Sequence, residues 1–438
     1  MTRNIIPRRP SPNACINIAQ IGFGRIAREH DLPLTIRHQG VRVVAVADVD
    51  LKRANDGRQW IETWYREKRG ERDVTVQAVQ DYHELLQDPG IDAVIISTPD
   101  HWHAQPAIEA ALAGKDVYLQ KPASLTIREG RQMSDAFHHT GRILQMGSQQ
   151  RSLDPWPQFH RAVALVRSGR IGDITQVEVG LMIDPAGDVE PEMPIPPNLN
   201  YDMWLGSTPY VYYTEKRVHP QHDYDRPGWL RCEQFGAGMI TGWGAHHVDI
   251  AHWGMNAEYT GPIEIEGEAE YPTSGLWNVH GHFRVQARYA NGVILHIADT
   301  FPNGIRFIGT EGWIFVSRGD TPVTASDPSA HWKSAPALEA SDPQILEAVV
   351  NPADVQMDIS QEQHQNWLDS IRSRKPPIAP VEIAHRSTSV CLLSQIAMKL
   401  RRRLFWNPNA ERFRNDDEAN TMLSRPQRYP YGTDYIQY

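Results

Sequence analysis

INIAQIGFGRIARE, residues 16–29, is the stretch on which the architecture turns. Its short apolar run (Ile16, Ile18, Ala19, Ile21) leads directly into Gly22, Gly24 and Ala27, and the residues after them suit a helix. Each residue type has a physical reason. Gly22 permits a tight turn, Gly24 lets the backbone come close to a pyrophosphate, and Ala27 lets the helix pack against its strand. The turn Gly22, Phe23, Gly24, Arg25, Ile26 then opens a helix N-terminus whose unpaired N–H groups and partial positive charge suit phosphate. A second run, VRVVAVAD at 41–48, ends in Asp48. That is roughly 20 residues beyond the glycines, where a carboxylate accepts hydrogen bonds from an adenosine ribose. Strand, glycine turn, helix, strand and acid together predict a dinucleotide site.

The chain continues in the same alternation. A polar helix is expected over 51–68, and IDAVIIST at 91–98 is a continuous apolar strand of the kind covered on both faces. It runs into Thr98, Pro99, Asp100, His101, Trp102 and His103. After a helix over 104–113, strand 116–119 delivers Gln120, Lys121 and Pro122. Ligands bind beyond the carboxyl ends of parallel strands, which puts Thr98, Pro99, His103, Gln120 and Lys121 beside the cofactor. Helix 127–139 and strand 143–146 complete a doubly wound parallel sheet.

Beyond residue 147 the pattern changes. A helix over 158–168 precedes an alternating strand over 173–182, which suggests an antiparallel sheet with one exposed face. A proline-rich loop (185–197) and an aromatic stretch (201–213) lead to Arg217, His219 and Trp229. Strands over 263–271, 280–289, 293–299, 305–309 and 312–316 read as a meander, with Asn291-Gly292 as a hairpin turn. Amphipathic helices over 361–374 and 384–400 follow. The expected division is a flexible leader (1–14), a Rossmann domain (15–147), an α+β substrate and oligomerisation domain (148–400) and a surface-packed tail (401–438).

A net charge of −9 gives no basic footprint for nucleic acid. The three cysteines, Cys15, Cys232 and Cys391, are far apart and lack metal spacing. No apolar run reaches the length of about 18 residues that a membrane span needs. Residues 1–13 lack the apolar region of a signal peptide, so the sequence as it stands reads as cytoplasmic, or as exported if a removed signal preceded residue 1.

Two places carry chemistry: Lys121, and GAGMITGWGAHHVD at 236–249. A lysine and a histidine facing a nicotinamide ring can handle the proton that leaves a substrate hydroxyl while hydride leaves its carbon. His246 and His247 point to different faces of one helix, so one of them leads. A metal centre of His101, His103, His246 and Asp249 lacks the spacing of a known ligand motif, and none is expected.

The glycine turn, Asp48, the TPDHWH loop, QKP at 120–122 and the segment ending in HHVD together resemble the glucose-fructose oxidoreductase and inositol dehydrogenase family. The resemblance implies an N-terminal Rossmann domain with a C-terminal open, mostly antiparallel sheet. It also implies a nicotinamide cofactor and a carbohydrate or glycoside substrate. Lys121 takes the place of the lysine in the family's E-K-P motif, His246 that of its catalytic histidine, and Asp249 that of a substrate-binding aspartate. Trp243, His247 and Arg217 complete the expected substrate contacts beside Lys121, His246 and Asp249. Asp48 favours NAD over NADP, since a carboxylate repels the extra phosphate, although Arg53 lies close in sequence. Two departures stand out: Gln120 replaces the family's glutamate, and Gly242 stands where many members carry an aspartate. The expected activity is hydride transfer between a sugar hydroxyl carbon and NAD. The alternatives are a redox-neutral NAD-dependent glycosidase and a catalytically reduced NAD- and sugar-binding protein. A homo-oligomer, dimer or tetramer, is expected to cover the open sheet.

Overall fold

The computed structural model describes residues 15–319, 336–351 and 355–436. The leader expected over 1–14 lies outside them. The first sheet is six-stranded and parallel, built from β1 (Ile16–Ile21), β2 (Val41–Ala47), β3 (Gln77–Val79), β4 (Ala93–Ile96), β5 (Asp116–Leu119) and β6 (Leu144–Met146) in the order β3-β2-β1-β4-β5-β6. The chain direction across the sheet reverses between β1 and β4, whose registers pair Ile18 with Ala93 and Ile21 with Ile96. A crevice therefore opens past Ile21 and Ile96, where the glycine turn and Thr98 stand. β3 was hidden in a mixed stretch because a three-residue strand is too short to show a period.

Both faces of this sheet are covered. Helices Ala104–Leu112 and Ile127–Thr140 bury one face. The other packs against Trp367, Leu368 and Ile371 of helix Gln363–Ser373, contributed from late in the chain.

The second sheet has nine strands. They are β7 (Ile174–Gly180), β8 (Glu264–Ala269), β9 (Phe283–Arg288), β10 (Ile294–Ala298), β11 (Gly304–Gly309), β12 (Trp313–Val316), β13 (Leu338–Ala340), β14 (Leu404–Asn407) and β15 (Arg412–Phe413). Their order, β13-β12-β11-β7-β10-β9-β8-β14-β15, corrects the expected meander. β7 inserts between β10 and β11, parallel to the first and antiparallel to the second. Alternation along each strand marks its buried face but says nothing of its neighbours, so this insertion had no local signal. Helices Pro157–Arg167, Gly244–Met255 and Val381–Leu400 pack on one face of the sheet. On β9, Arg284 and Arg288 point away from it. The tail is more ordered than its composition suggested: β14 and β15 extend the sheet, and Tyr431 stacks edge-on against Trp102 of the first domain.

Candidate functional site

A cavity of about 240 Å³ lies between the two sheets and is lined by Gly22, Gly24 and Asp48 at one end and by Lys121, His246 and Arg318 among others. Gly22 holds φ +83°, and a Cβ there would come within 2.9 Å of the Ser97 carbonyl oxygen, so the turn needs glycine. Gly24 differs. A Cβ added to it meets no atom within 4 Å, so its missing side chain leaves open space along the cavity wall. That is the cradle a pyrophosphate needs, and the turn fits a dinucleotide. Arg25 and Ile26 line the same wall. Phe23 does not: its ring is buried in the core beside Tyr224, and its N–H donates to Asp48 Oδ2 at 2.8 Å. The Phe23 ring is a packing residue.

Asp48 also accepts from Asp50 N at 2.9 Å, and burial pushes its carboxyl up to about 6. Arg53, the cation that could favour an extra phosphate, lines the same cavity with part of its guanidinium engaged by protein. Its Nη2 donates to the carbonyls of Pro220 at 2.8 Å and Asp223 at 3.2 Å, and its guanidinium lies over the Tyr224 ring.

Lys121, past the end of β5, reaches across the domain boundary and donates from Nζ to the Gly242 carbonyl at 2.8 Å. The position that lacks an aspartate side chain thus supplies a backbone acceptor. A carboxylate is present too, from an unexpected source. Asp100, buried in the TPDHWH loop, is the acidic group that acts most strongly on Lys121, and both line the cavity. Burial lowers the proton affinity of Lys121 and raises that of Asp100, and each partly opposes the shift of the other. Gln120 has its own logic: its Nε2 donates to Asp31 Oδ1 at 2.8 Å, where a glutamate would set two carboxylates against each other.

His246, 5% exposed, lines the cavity, and its Nδ1 has no hydrogen-bond partner. Burial, followed by the positive charges of Arg318 and Lys121, holds its pKa well below the ordinary histidine value, so the ring is neutral. Trp243, one turn earlier, also lines the cavity.

Four expected site residues lie elsewhere. His247 sits one position along the helix and faces the sheet: Nε2 lies 2.7 Å from Asn303 Oδ1 and Nδ1 3.3 Å from Gln150 Nε2. Asp249 is fully buried and held by Arg151 through two bonds of 2.6 and 2.9 Å, with a further bond from Ser148. Arg217 donates to the Tyr212 carbonyl and stacks on that residue's ring. His103 lies with Nδ1 2.5 Å from the Pro122 carbonyl and Nε2 3.0 Å from that of Thr98, tying the two strand-end loops together. None of the four lines the cavity, and each bonds to other protein groups. Of the four residues of the metal set weighed above, His101 has Nε2 2.8 Å from the Trp204 carbonyl and Asp249 is held by Arg151. Asp100, Trp156 and Arg318 are among the cavity residues that sequence reasoning missed. For Asp100 there was a signal, a carboxylate immediately past a parallel strand. Arg318 follows an edge-region strand and had none.

Comparison with known proteins agrees with this architecture. The family model for the oxidoreductase family's NAD-binding Rossmann fold matches residues 16–148, and that for its C-terminal alpha/beta domain matches residues 186–433. An uncharacterized oxidoreductase, ORF334, of Rhizobium meliloti is 34% identical over 158 residues, 36% of this chain and 43% of that protein. The scyllo-inositol 2-dehydrogenase (NAD(+)) of Bacillus subtilis is 33% identical over 159 residues, 36% of this chain and 42% of its own length. The matched stretch thus spans less than half of either relative. Among solved structures, the aldose-aldose oxidoreductase from Caulobacter crescentus superposes with a TM-score of 0.58 at 17% identity, covering 89% of this chain and 99% of that one. With both halves matched, in sequence order and on the sheets described, the chain belongs to the Gfo/Idh/MocA oxidoreductase family.

Proposed function

We propose that this chain oxidises or reduces a hydroxyl-bearing carbon of a carbohydrate or polyol with NAD as the hydride partner. One observation carries the reading: Lys121 and His246, from different domains, line the same cavity as Gly22, Gly24 and Asp48. The name of the Bacillus subtilis relative, an NAD(+)-dependent inositol dehydrogenase, supports the substrate class. Bound NAD would supply the hydride acceptor or donor. The chain's own residues handle the proton. Lys121, its ammonium destabilised by burial, gives up its proton more readily than a solvent lysine and can then accept one from the substrate hydroxyl. Asp100 tunes that affinity, and the Gly242 carbonyl fixes where Nζ points. His246, kept neutral, offers a lone pair or an N–H to the same hydroxyl. A carboxylate at the end of β2 and an Arg53 partly engaged by carbonyls favour NAD over NADP. A homo-oligomer belongs to the same reading, because the outward residues of β9 leave one face of the sheet open.

The test is mass spectrometry for co-purified NAD(H), followed by a screen of sugars, polyols and glycosides at the absorbance of reduced nicotinamide. NADH formation with one of these substrates is expected. Cleavage of a glycoside with no net NADH would replace the dehydrogenase by the redox-neutral glycosidase, and cofactor binding without any turnover would leave a binding protein.

A further inference from the structure

Arg318, just past β12, is 6% exposed and lines the cavity with Lys121 and His246. Among the described residues, its Nε and Nη2 have no hydrogen-bond partner. The guanidinium lies against two indoles, its Cζ 3.9 Å from the Trp156 ring centre and 4.6 Å from that of Trp243. Burial pulls its pKa down, to about 9, and among the described residues no acidic side chain opposes the shift. The chain treats other buried arginines differently. Arg151 is paired with Asp249 and Glu258, Arg231 with Asp184, and Arg53 with two carbonyls. A buried guanidinium without a counter-charge opposes folding, and the aromatic faces offset only part of that cost. A ligand can supply the missing charge.

We propose that Arg318 is the receptor for a carboxylate on the substrate, so that the carbohydrate oxidised or reduced here is a sugar acid, uronic or aldonic, rather than a neutral polyol. This rests on the dehydrogenase reading of the same cavity. With two indoles against the guanidinium, its unpartnered Nε and Nη2 are the donors left for a ligand, and two such N–H groups on one edge match the two oxygens of a carboxylate. A single positive charge balances a single negative one. Trp156 Nε1, buried and also without a partner, is a second donor for a hydroxyl beside it. Arg318 acts electrostatically on both Lys121 and His246, so an anion bound there sits on the molecule whose hydroxyl those residues address.

The experiment uses the full chain saturated with NADH and reads indole fluorescence during titration with D-glucuronate, D-gluconate, D-glucose, myo-inositol and glucose 6-phosphate. The wild type is compared with Arg318→Met and Arg318→Lys. The wild type should bind an acid at least about 10-fold more tightly than its neutral partner. Arg318→Met should weaken acid binding on the order of 100-fold while leaving neutral sugars and NADH little changed, and Arg318→Lys should retain part of the acid preference because it keeps charge without the fork. Arg318→Met should also melt no lower than wild type, since it removes an uncompensated charge. Equal binding of acid and neutral partner, binding of neither, tightest binding of the phosphate, or an acid preference that survives in Arg318→Met would overturn the carboxylate site. So would a marked loss of melting temperature in Arg318→Met, which would make the residue structural. Failure of NADH itself to bind would instead remove the dehydrogenase reading beneath it, so the two failures are separable.

Discussion

Lys121 gives the clearest handle at the scale of single residues, because its proton affinity is set by two opposed neighbours. Burial lowers it and the Asp100 carboxylate raises it, leaving it below the ordinary 10.5. In the oxidation direction a deprotonated Lys121 is the competent form. The rate should therefore rise with pH and level off well below the ordinary lysine value. Asp100→Asn removes the charge that favours the ammonium, so the pKa of Lys121 falls further and the rising limb of the pH–rate profile moves to lower pH. A limb that stays in place or moves upward would exclude Asp100 from this role. Lys121, His246, Gly24 and Asp48, singled out by type and position, all line the cavity. His247, Asp249, Arg217 and His103 do not, and their partners (Asn303, Arg151, the Tyr212 carbonyl, the carbonyls of Pro122 and Thr98) are not visible from type and position. A sequence motif lists polar residues without showing which are already engaged.

At the scale of elements, the glycine turn separates folding from binding. Gly22 stands at φ +83° with no room for a Cβ, so Gly22→Ala should destabilise the protein by about 1–3 kcal/mol. Gly24 has space, but the space belongs to the cavity. Gly24→Val should therefore keep the wild-type melting temperature and weaken NADH binding by at least about 10-fold, or 1.4 kcal/mol. Calorimetric melting and NADH titration of the two variants check both statements, and a Gly24 variant that binds NADH like wild type would remove the turn from the cofactor site. The strands of the first sheet other than the short β3 were readable because burial leaves mostly apolar runs, as in AVII of β4. The insertion of β7 between β10 and β11 was not, because strand order depends on pairing across more than a hundred residues.

The whole molecule carries an acid-sensitive interior. His101 and His247 are held near 3, and His103 and His252 near 4, in each case first by burial. Each is neutral when folded and protonates near 6.5 when unfolded, so the unfolded chain binds more protons between these values. Their contribution to stability is complete above about pH 6.5 and is lost as pH falls from there toward 4. The raised carboxyls of Asp48 and Asp100 oppose this in part as they protonate, but the four rings outnumber them, so melting temperature should fall from pH 7 to pH 4.5, and a rise over that window would contradict the burial of these rings. No described helix is long and apolar enough to cross a membrane. Both family domains, the two sheets and the cavity between them together make one expectation: chemistry occurs where Lys121 of the first domain meets His246 of the second.

That expectation is tested most directly by single-turnover NADH formation with a substrate found in the screen, measured on Lys121→Ala and His246→Ala beside NADH dissociation constants for the same proteins. The account predicts a loss of about 100-fold or more in rate for each variant, with NADH affinity within a few-fold of wild type. Wild-type turnover in either variant, or loss of NADH binding with no separate loss of rate, would contradict it.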